Sequence, residues 1–261
     1  MPRFLLGVSL KMYFGHAQTV EWCRAVAELG RSHAAVREGH AELFVIPTYL
    51  SVPAALGILD GVARVGAQDL AAADSGAFTG EVSGAEIAEL GCGVVEVGHA
   101  ERRSLFGETD DVVRAKALAA LRNGLSPVLC VGEAARLAHA DAARECIRQI
   151  DDALASARAA GRSGRVIVAY EPHWAIGASE PAEPAYIRAV CSLVREHVQG
   201  LTDFRDSAVI YGGSARPGLL TEIADDVDGL FLGRFAHRPA SLEAILDEAL
   251  ALATAGARYW T

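Results

Sequence analysis

Short apolar runs alternate along this chain with longer segments of helical period, and that alternation is its strongest constraint. The runs are Phe4–Val8, Glu42–Ile46, Arg64–Ala67, Val94–Val97, Pro127–Cys130, Arg165–Tyr170, Ala208–Tyr211 and Gly229–Leu232. Their aliphatic character reads as strands covered on both faces, which is how parallel sheets are built. Between them lie helical segments: Ala17–Gly30, Gly84–Leu90, Asp110–Arg122, Ala134–Ala159, Pro184–His197 and Ala240–Ala255. Eight strands, each followed by helical sequence, predict an α/β fold, a single (β/α)8 barrel with its chemistry at the strand carboxyl ends. No Gly/Ser linker, charge block or low-complexity tract marks a boundary, so residues 1–261 read as one domain.

Composition excludes some function classes. A net charge of −9 and a pI of about 5.4, with no basic stripe, argue against a nucleic-acid binder. A compact cationic pocket for a small anion is still allowed. The five cysteines, Cys23, Cys92, Cys130, Cys146 and Cys191, show no metal-ligand spacing. They read as reduced thiols of a cytoplasmic protein. The opening run after Met1 is too short for a signal peptide, and no stretch approaches a membrane span.

One stretch carries the clearest chemistry. The run ending at Tyr170 is followed by Glu171, then Pro172, then an apolar loop to Gly177. Pro172 forbids regular continuation and biases Glu171 away from the helical region. A carboxylate at a strand end, beside a loop that can close over it, suits proton abstraction. Excluding water raises its basicity and shields a reactive intermediate. His99 follows Val97-Gly98 and opens a polar segment; a helix starting there disfavours imidazolium and leaves a neutral donor. The plainer alternative is a structural histidine. Lys11 lies just past the first strand, either as a charge in the barrel mouth or as a solvated lysine. Gly212-Gly213-Ser214 and Gly233-Arg234 end the seventh and eighth strands. Glycine-rich strand ends cradle phosphate through backbone N–H groups, and barrels commonly bind phosphate there. Arg234 contributes either its backbone alone or also its side chain. Cys130 lacks an adjacent His/Asn signature and reads as packing.

Tyr170-Glu171-Pro172-His173-Trp174-Ala175-Ile176-Gly177 resembles the catalytic strand and lid of the triosephosphate isomerase family, and further matches run from Lys11 to Gly233. The resemblance implies a TIM barrel that interconverts dihydroxyacetone phosphate and glyceraldehyde 3-phosphate in glycolysis, through an enediolate. It implies no metal or organic cofactor, since the adjacent carbonyl already acidifies the C–H. In that reading Glu171 is the base, His99 polarises the carbonyl and moves the hydroxyl proton, and Lys11 stabilises anionic charge. A neutral catalytic histidine is an established property of this family, so that expectation is carried by the resemblance. Glu101 contacts the lysine, while Ser9, Lys11, Gly177, Ser214, Gly233 and Arg234 hold substrate and phosphate. Arg102, Arg103 and Glu108 resemble structural ion-pair members. The loop Gln68–Ser83, with Thr79 at its tip, resembles one that braces a second subunit, implying a homodimer.

Several positions depart from the family pattern. Ser9 stands for asparagine, Leu10 for tryptophan, Asp69 for asparagine, Ala100 for serine, and Gly233-Arg234 for Gly-Gly. Ser9, Leu10 and Arg234 fall in motifs expected to face substrate. They also resemble the branch that isomerises four-carbon erythrulose phosphates in polyol catabolism, which is the alternative substrate class. A non-catalytic barrel that binds a phosphorylated metabolite is a third reading. His173 replaces an aliphatic residue and is expected to be exposed and tolerated; the sharper alternative is a lid whose closure follows histidine protonation.

Overall fold

The computed structural model describes residues 4–176 and 181–257. Its strands are β1 (Phe4–Ser9), β2 (Ala41–Ile46), β3 (Ala63–Ala67), β4 (Val94–Val97), β5 (Ser126–Val131), β6 (Ile167–Tyr170), β7 (Ala208–Tyr211) and β8 (Gly229–Leu232). They close into a barrel in chain order, and each neighbouring pair is parallel. The expected (β/α)8 architecture is therefore the observed one.

Side chains alternate along each strand between the barrel interior and the helix-facing side. Leu5, Phe44, Ile46, Val94, Val128, Cys130, Ile167, Ile210 and Phe231 belong to the inner core. The Phe44 and Phe231 rings stack there at 5.7 Å. The opposite faces join a second, larger core beneath α1 (His16–Ser32), α2 (Ala34–Arg37), α3 (Val52–Ile58), α4 (Gly84–Glu89), α5 (Ala100–Phe106), α6 (Asp110–Arg122), α7 (His139–Ala159), α8 (Pro184–Gln199), α9 (Leu219–Ile223) and α10 (Pro239–Ala257). All five cysteines are buried and free.

Most element boundaries shift by a residue or two from the sequence reading, and two of the shifts have clear local reasons. The helix expected from Ala134 begins at His139. Residues 134–138 are alanine-rich, but the Tyr186 hydroxyl lies 3.2 Å from the Leu137 carbonyl oxygen, and this contact with α8 holds them as a loop. Tertiary contact overrides propensity here. The sixth strand starts at Ile167 rather than Arg165, because the Val166 N–H is taken by the Ser207 hydroxyl at 2.9 Å.

Beside the mouth, past the end of β3, lies a buried ionic cluster. Lys116 Nζ, on α6, donates to both Asp69 oxygens at 2.6 and 2.7 Å and to Glu108 at 2.5 Å. Arg102 adds bonds to Asp69 at 2.8 Å and Glu108 at 2.5 Å. The ion-pair expectation for Arg102 and Glu108 holds, and Asp69 acquires a cation that an asparagine would not need.

Candidate active site

Strand ends on four sides of the barrel supply the polar groups. After Ser9 the chain turns Leu10 into the core, where it is 1% exposed. Leu10 therefore does not face substrate, contrary to the sequence expectation. Its aliphatic side chain packs in the helix-facing core instead. Lys11 follows in the left-handed region at φ 48°. That conformation is strained for a side-chain-bearing residue. The Gln68 amide helps hold it by donating to the Lys11 carbonyl oxygen at 2.9 Å. Lys11 Nζ donates to Glu101 at 2.8 Å. Burial alone would lower the Lys11 pKa, but the Glu101 bond and the Glu171 and Glu96 charges outweigh it and raise it.

β4 runs into Gly98, whose φ of 73° glycine adopts without strain, and then into His99. His99 caps α5: its Nδ1 accepts the Glu101 backbone N–H at 3.2 Å. The lone pair on Nδ1 is thereby used, so in the neutral ring the proton sits on Nε2. Burial first, and the Lys11 charge second, push the imidazole down to about 4. The neutral Nε2–H lies 3.6 Å from Glu171 Oε1 and 3.7 Å from Glu96 Oε1.

Glu171 follows β6 and is 2% exposed, with Oε2 unpartnered among the described residues. Its side chain crosses Gly212, where an added Cβ would come within 2.8 Å of Glu171 Cγ. Burial, then the Glu96 charge, raise its carboxyl to about 8, against the pull of Lys11 and the Ala100 N–H. The root of the lid is held by Glu133, whose Oε1 accepts from Tyr170 at 3.1 Å, Trp174 Nε1 at 2.7 Å and Tyr186 at 2.9 Å. His173 is half-buried, not exposed: an added Cβ on Gly132 would lie 3.3 Å from its ring. Burial lowers its pKa, and the expectation that His173 is exposed is corrected.

Ser9, Lys11, His99, Glu101, Glu171, Ser214, Gly233 and Arg234 all line one cavity of about 250 Å³, with Tyr13, Ile176 and Gly212. The Arg234 guanidinium sits 5.9 Å from the Tyr13 ring centroid at its rim. Gly177 and positions 178–180 lie outside the described residues. A wider cleft of about 780 Å³ opens at the opposite end of the barrel, lined by Arg165, Asp206 and Asp228. It brings together none of these groups.

Sequence reasoning passed over Glu96. It sits on the inward side of β4 at 3% exposure, and Ser9 Oγ donates to its Oε2 at 3.0 Å. Burial, offset only in part by Ser9 and Lys11, raises it to about 7. The signal was present: a lone carboxylate in the otherwise all-valine strand Val94-Val95-Glu96-Val97.

Comparison with known proteins gives this geometry its context. Residues 4–249 match the family described as triosephosphate isomerase. The L-erythrulose-1-phosphate isomerase of Pectobacterium atrosepticum is 49% identical over 97% of this chain and 98% of its own length. The enzyme of that name from Rhizobium rhizogenes is 38% identical over 94% of this chain and 93% of its own. The triosephosphate isomerase of Mycobacteroides abscessus is 41% identical over 74% of this chain and 77% of its own. A barrel with this site, matched by a family over nearly its whole length, is an isomerase of the sugar-phosphate type, and the chain belongs to the triosephosphate isomerase family.

Proposed function

We propose that this single barrel domain catalyses a 1,2-proton shift in a phosphorylated ketose through an enediolate, with Glu171 as the base. The observation that carries the reading is the buried Glu171 carboxylate facing the His99 Nε2 at 3.6 Å in a pocket shared with Lys11. Glu171 takes the proton from the carbon next to the carbonyl and returns it to the carbonyl carbon. The neutral His99 donates to the carbonyl oxygen and carries the hydroxyl proton between the two oxygens. Lys11 offsets the charge that develops on them. Glu101 holds Lys11 in place. The phosphate lies against the Gly213-Ser214 and Gly233-Arg234 strand ends, supported by their place after β7 and β8.

Dihydroxyacetone phosphate and glyceraldehyde 3-phosphate fit this chemistry. So does the same skeleton with one hydrogen on the carbon that loses the proton replaced by hydroxymethyl, which is L-erythrulose 1-phosphate. There the identical shift moves the carbonyl one carbon along and yields a second ketose, erythrulose 4-phosphate. The four-carbon substrate is favoured by the 49% identity to an enzyme named for it and by the departures at Ser9 and Arg234. The loop 68–83, with Phe78 54% exposed near the exposed Thr79, and an apolar groove lined by Tyr49, Leu50, Val82 and Leu90, support a homodimer. Five buried free thiols fit a reducing, cytoplasmic compartment.

The test is solvent deuterium incorporation into product, measured with the wild type and Glu171→Gln on both substrates. The expected loss in kcat for Glu171→Gln is about 10³-fold with exchange abolished. Saturable binding without any proton exchange in the wild type would leave the binding-barrel reading in its place.

A further inference from the structure

We infer that Glu96, seated behind Ser9 on β4, is a specificity-determining residue that receives a hydroxyl group on the substrate's end remote from the phosphate. This rests on the proton-shift reading above with a four-carbon substrate.

The placement follows from barrel closure. In the order β1 to β8, strand β4 stands diametrically across the mouth from β8. A substrate whose phosphate is held at the β7 and β8 ends, and whose reacting carbons lie between Glu171 and His99, extends its other end toward β4. In a three-carbon substrate the reacting carbon ends the chain, carrying only its own hydroxyl and hydrogens. A four-carbon one carries a hydroxymethyl group, which needs both room and a polar partner.

Ser9 and Glu96 supply these. Ser9 lines the cavity with a short side chain. Its hydroxyl donates backward to Glu96 Oε2 at 3.0 Å and fixes that carboxyl group. Glu96 Oε1 lies 3.7 Å from His99 Nε2, too far for a hydrogen bond, so the carboxyl group stands directly behind two residues of the cavity wall, Ser9 and His99.

Stability does not explain Glu96. A buried carboxyl with one neutral hydrogen bond, flanked by Val95 and Val97, costs the fold relative to a third valine. The buried carboxylates Asp69 and Glu108 each bond two cations; Glu96 bonds none among the described residues. With its pKa raised to about 7, its neutral form is populated at physiological pH and can donate as well as accept. A neutral carboxyl also avoids placing a second negative charge beside the enediolate.

The test compares selectivity, defined as kcat/KM for L-erythrulose 1-phosphate divided by kcat/KM for dihydroxyacetone phosphate. Wild type, Glu96→Val, Glu96→Gln and Ser9→Ala are assayed alongside far-UV circular dichroism. Glu96→Val is expected to lower selectivity about 100-fold, because a buried hydroxyl then loses its partner. Ser9→Ala is expected to lower it about tenfold, and Glu96→Gln, which keeps the hydrogen-bonding groups, to stay within about fivefold of wild type. Equal loss on both substrates in Glu96→Val overturns the inference and leaves Glu96 a positioning residue. If Glu96→Val fails to fold, Ser9→Ala decides in the same way. A wild type that turns over only the three-carbon substrate overturns the four-carbon reading itself, a result seen before any variant is made.

Discussion

Asp69 and Glu108 lie against two cations, Lys116 and Arg102, whereas among the described residues Lys11 is bonded to Glu101 alone and reaches Glu96 and Glu171 only through its charge. Both clusters sit at the mouth of the same barrel, and both are largely withdrawn from water. In the first, each carboxylate is bonded to both cations; those bonds hold Glu108 below the usual carboxylate range although burial pushes it up, while at Asp69 burial outweighs them and the pKa is raised. In the second, burial prevails over the few compensating contacts, and Glu171 and Glu96 rise to about 8 and about 7. Charge balance marks the cluster that holds structure. Imbalance marks the one proposed to move protons, since a base must be willing to accept a proton near neutral pH. One pKa unit is worth 1.36 kcal/mol, so ionisation costs the fold about 5 kcal/mol at Glu171 and about 3 kcal/mol at Glu96.

The strongest way to break this comparison is to unbalance the structural cluster. Lys116→Met leaves Asp69 and Glu108 buried with Arg102 alone. The expected cost is about 4 kcal/mol, seen as a Tm lowered by roughly 10 °C, with kcat per folded molecule within about threefold of wild type. A Tm within about 2 °C of wild type would show that the balance carries no stability.

The catalytic cluster should respond with the opposite sign. The native pKa of Glu171 lies above its unfolded value, so the native state binds the proton more tightly. That contribution is fully present below the unfolded pKa of 4.5 and is lost as pH rises through about 8. Glu171→Gln should therefore be more stable than wild type by about 4 kcal/mol at pH 8 and by only about 1 kcal/mol at pH 5. Urea unfolding at the two pH values checks this, and a variant less stable at pH 8 contradicts the assignment of burial as the dominant cause.

The smallest effect concerns coupling within that cluster. Glu96 faces Ser9, Lys11, Glu101, His99 and Glu171, and its charge raises the Glu171 pKa. Glu96→Gln removes that charge and should move the rising limb of kcat/KM against pH about one unit toward acid. An unmoved limb would mean that the two carboxylates titrate independently.

The legible and illegible parts of this protein divide along physical lines. The barrel was readable because strand and helix periods are properties of contiguous residues, and eight alternations leave few ways to bury every face. Lys11, His99 and Glu171 were readable because each follows a strand, and closure of a parallel barrel sends all strand ends to one mouth. Leu10 was misassigned because orientation after a strand depends on the left-handed turn at Lys11, which no local pattern announces. His173 was misjudged because its burial comes from the neighbouring β5 loop at Gly132. The start of α7 was set by a tyrosine on α8.

Sequence by itself determined the fold class and which strand-end residues, Lys11, His99, Glu171, Ser214 and Gly233, would meet at one mouth, since each depends on local periodicity or on position at a strand terminus. Tertiary structure alone decided that Ser9 and Glu96, 87 residues apart in the chain, meet at 3.0 Å on the floor of the site. It also decided which buried carboxylates find cations. Burial and charge compensation are set by what closes over a residue from other strands, and their consequences for pKa and selectivity arise only once the barrel has formed.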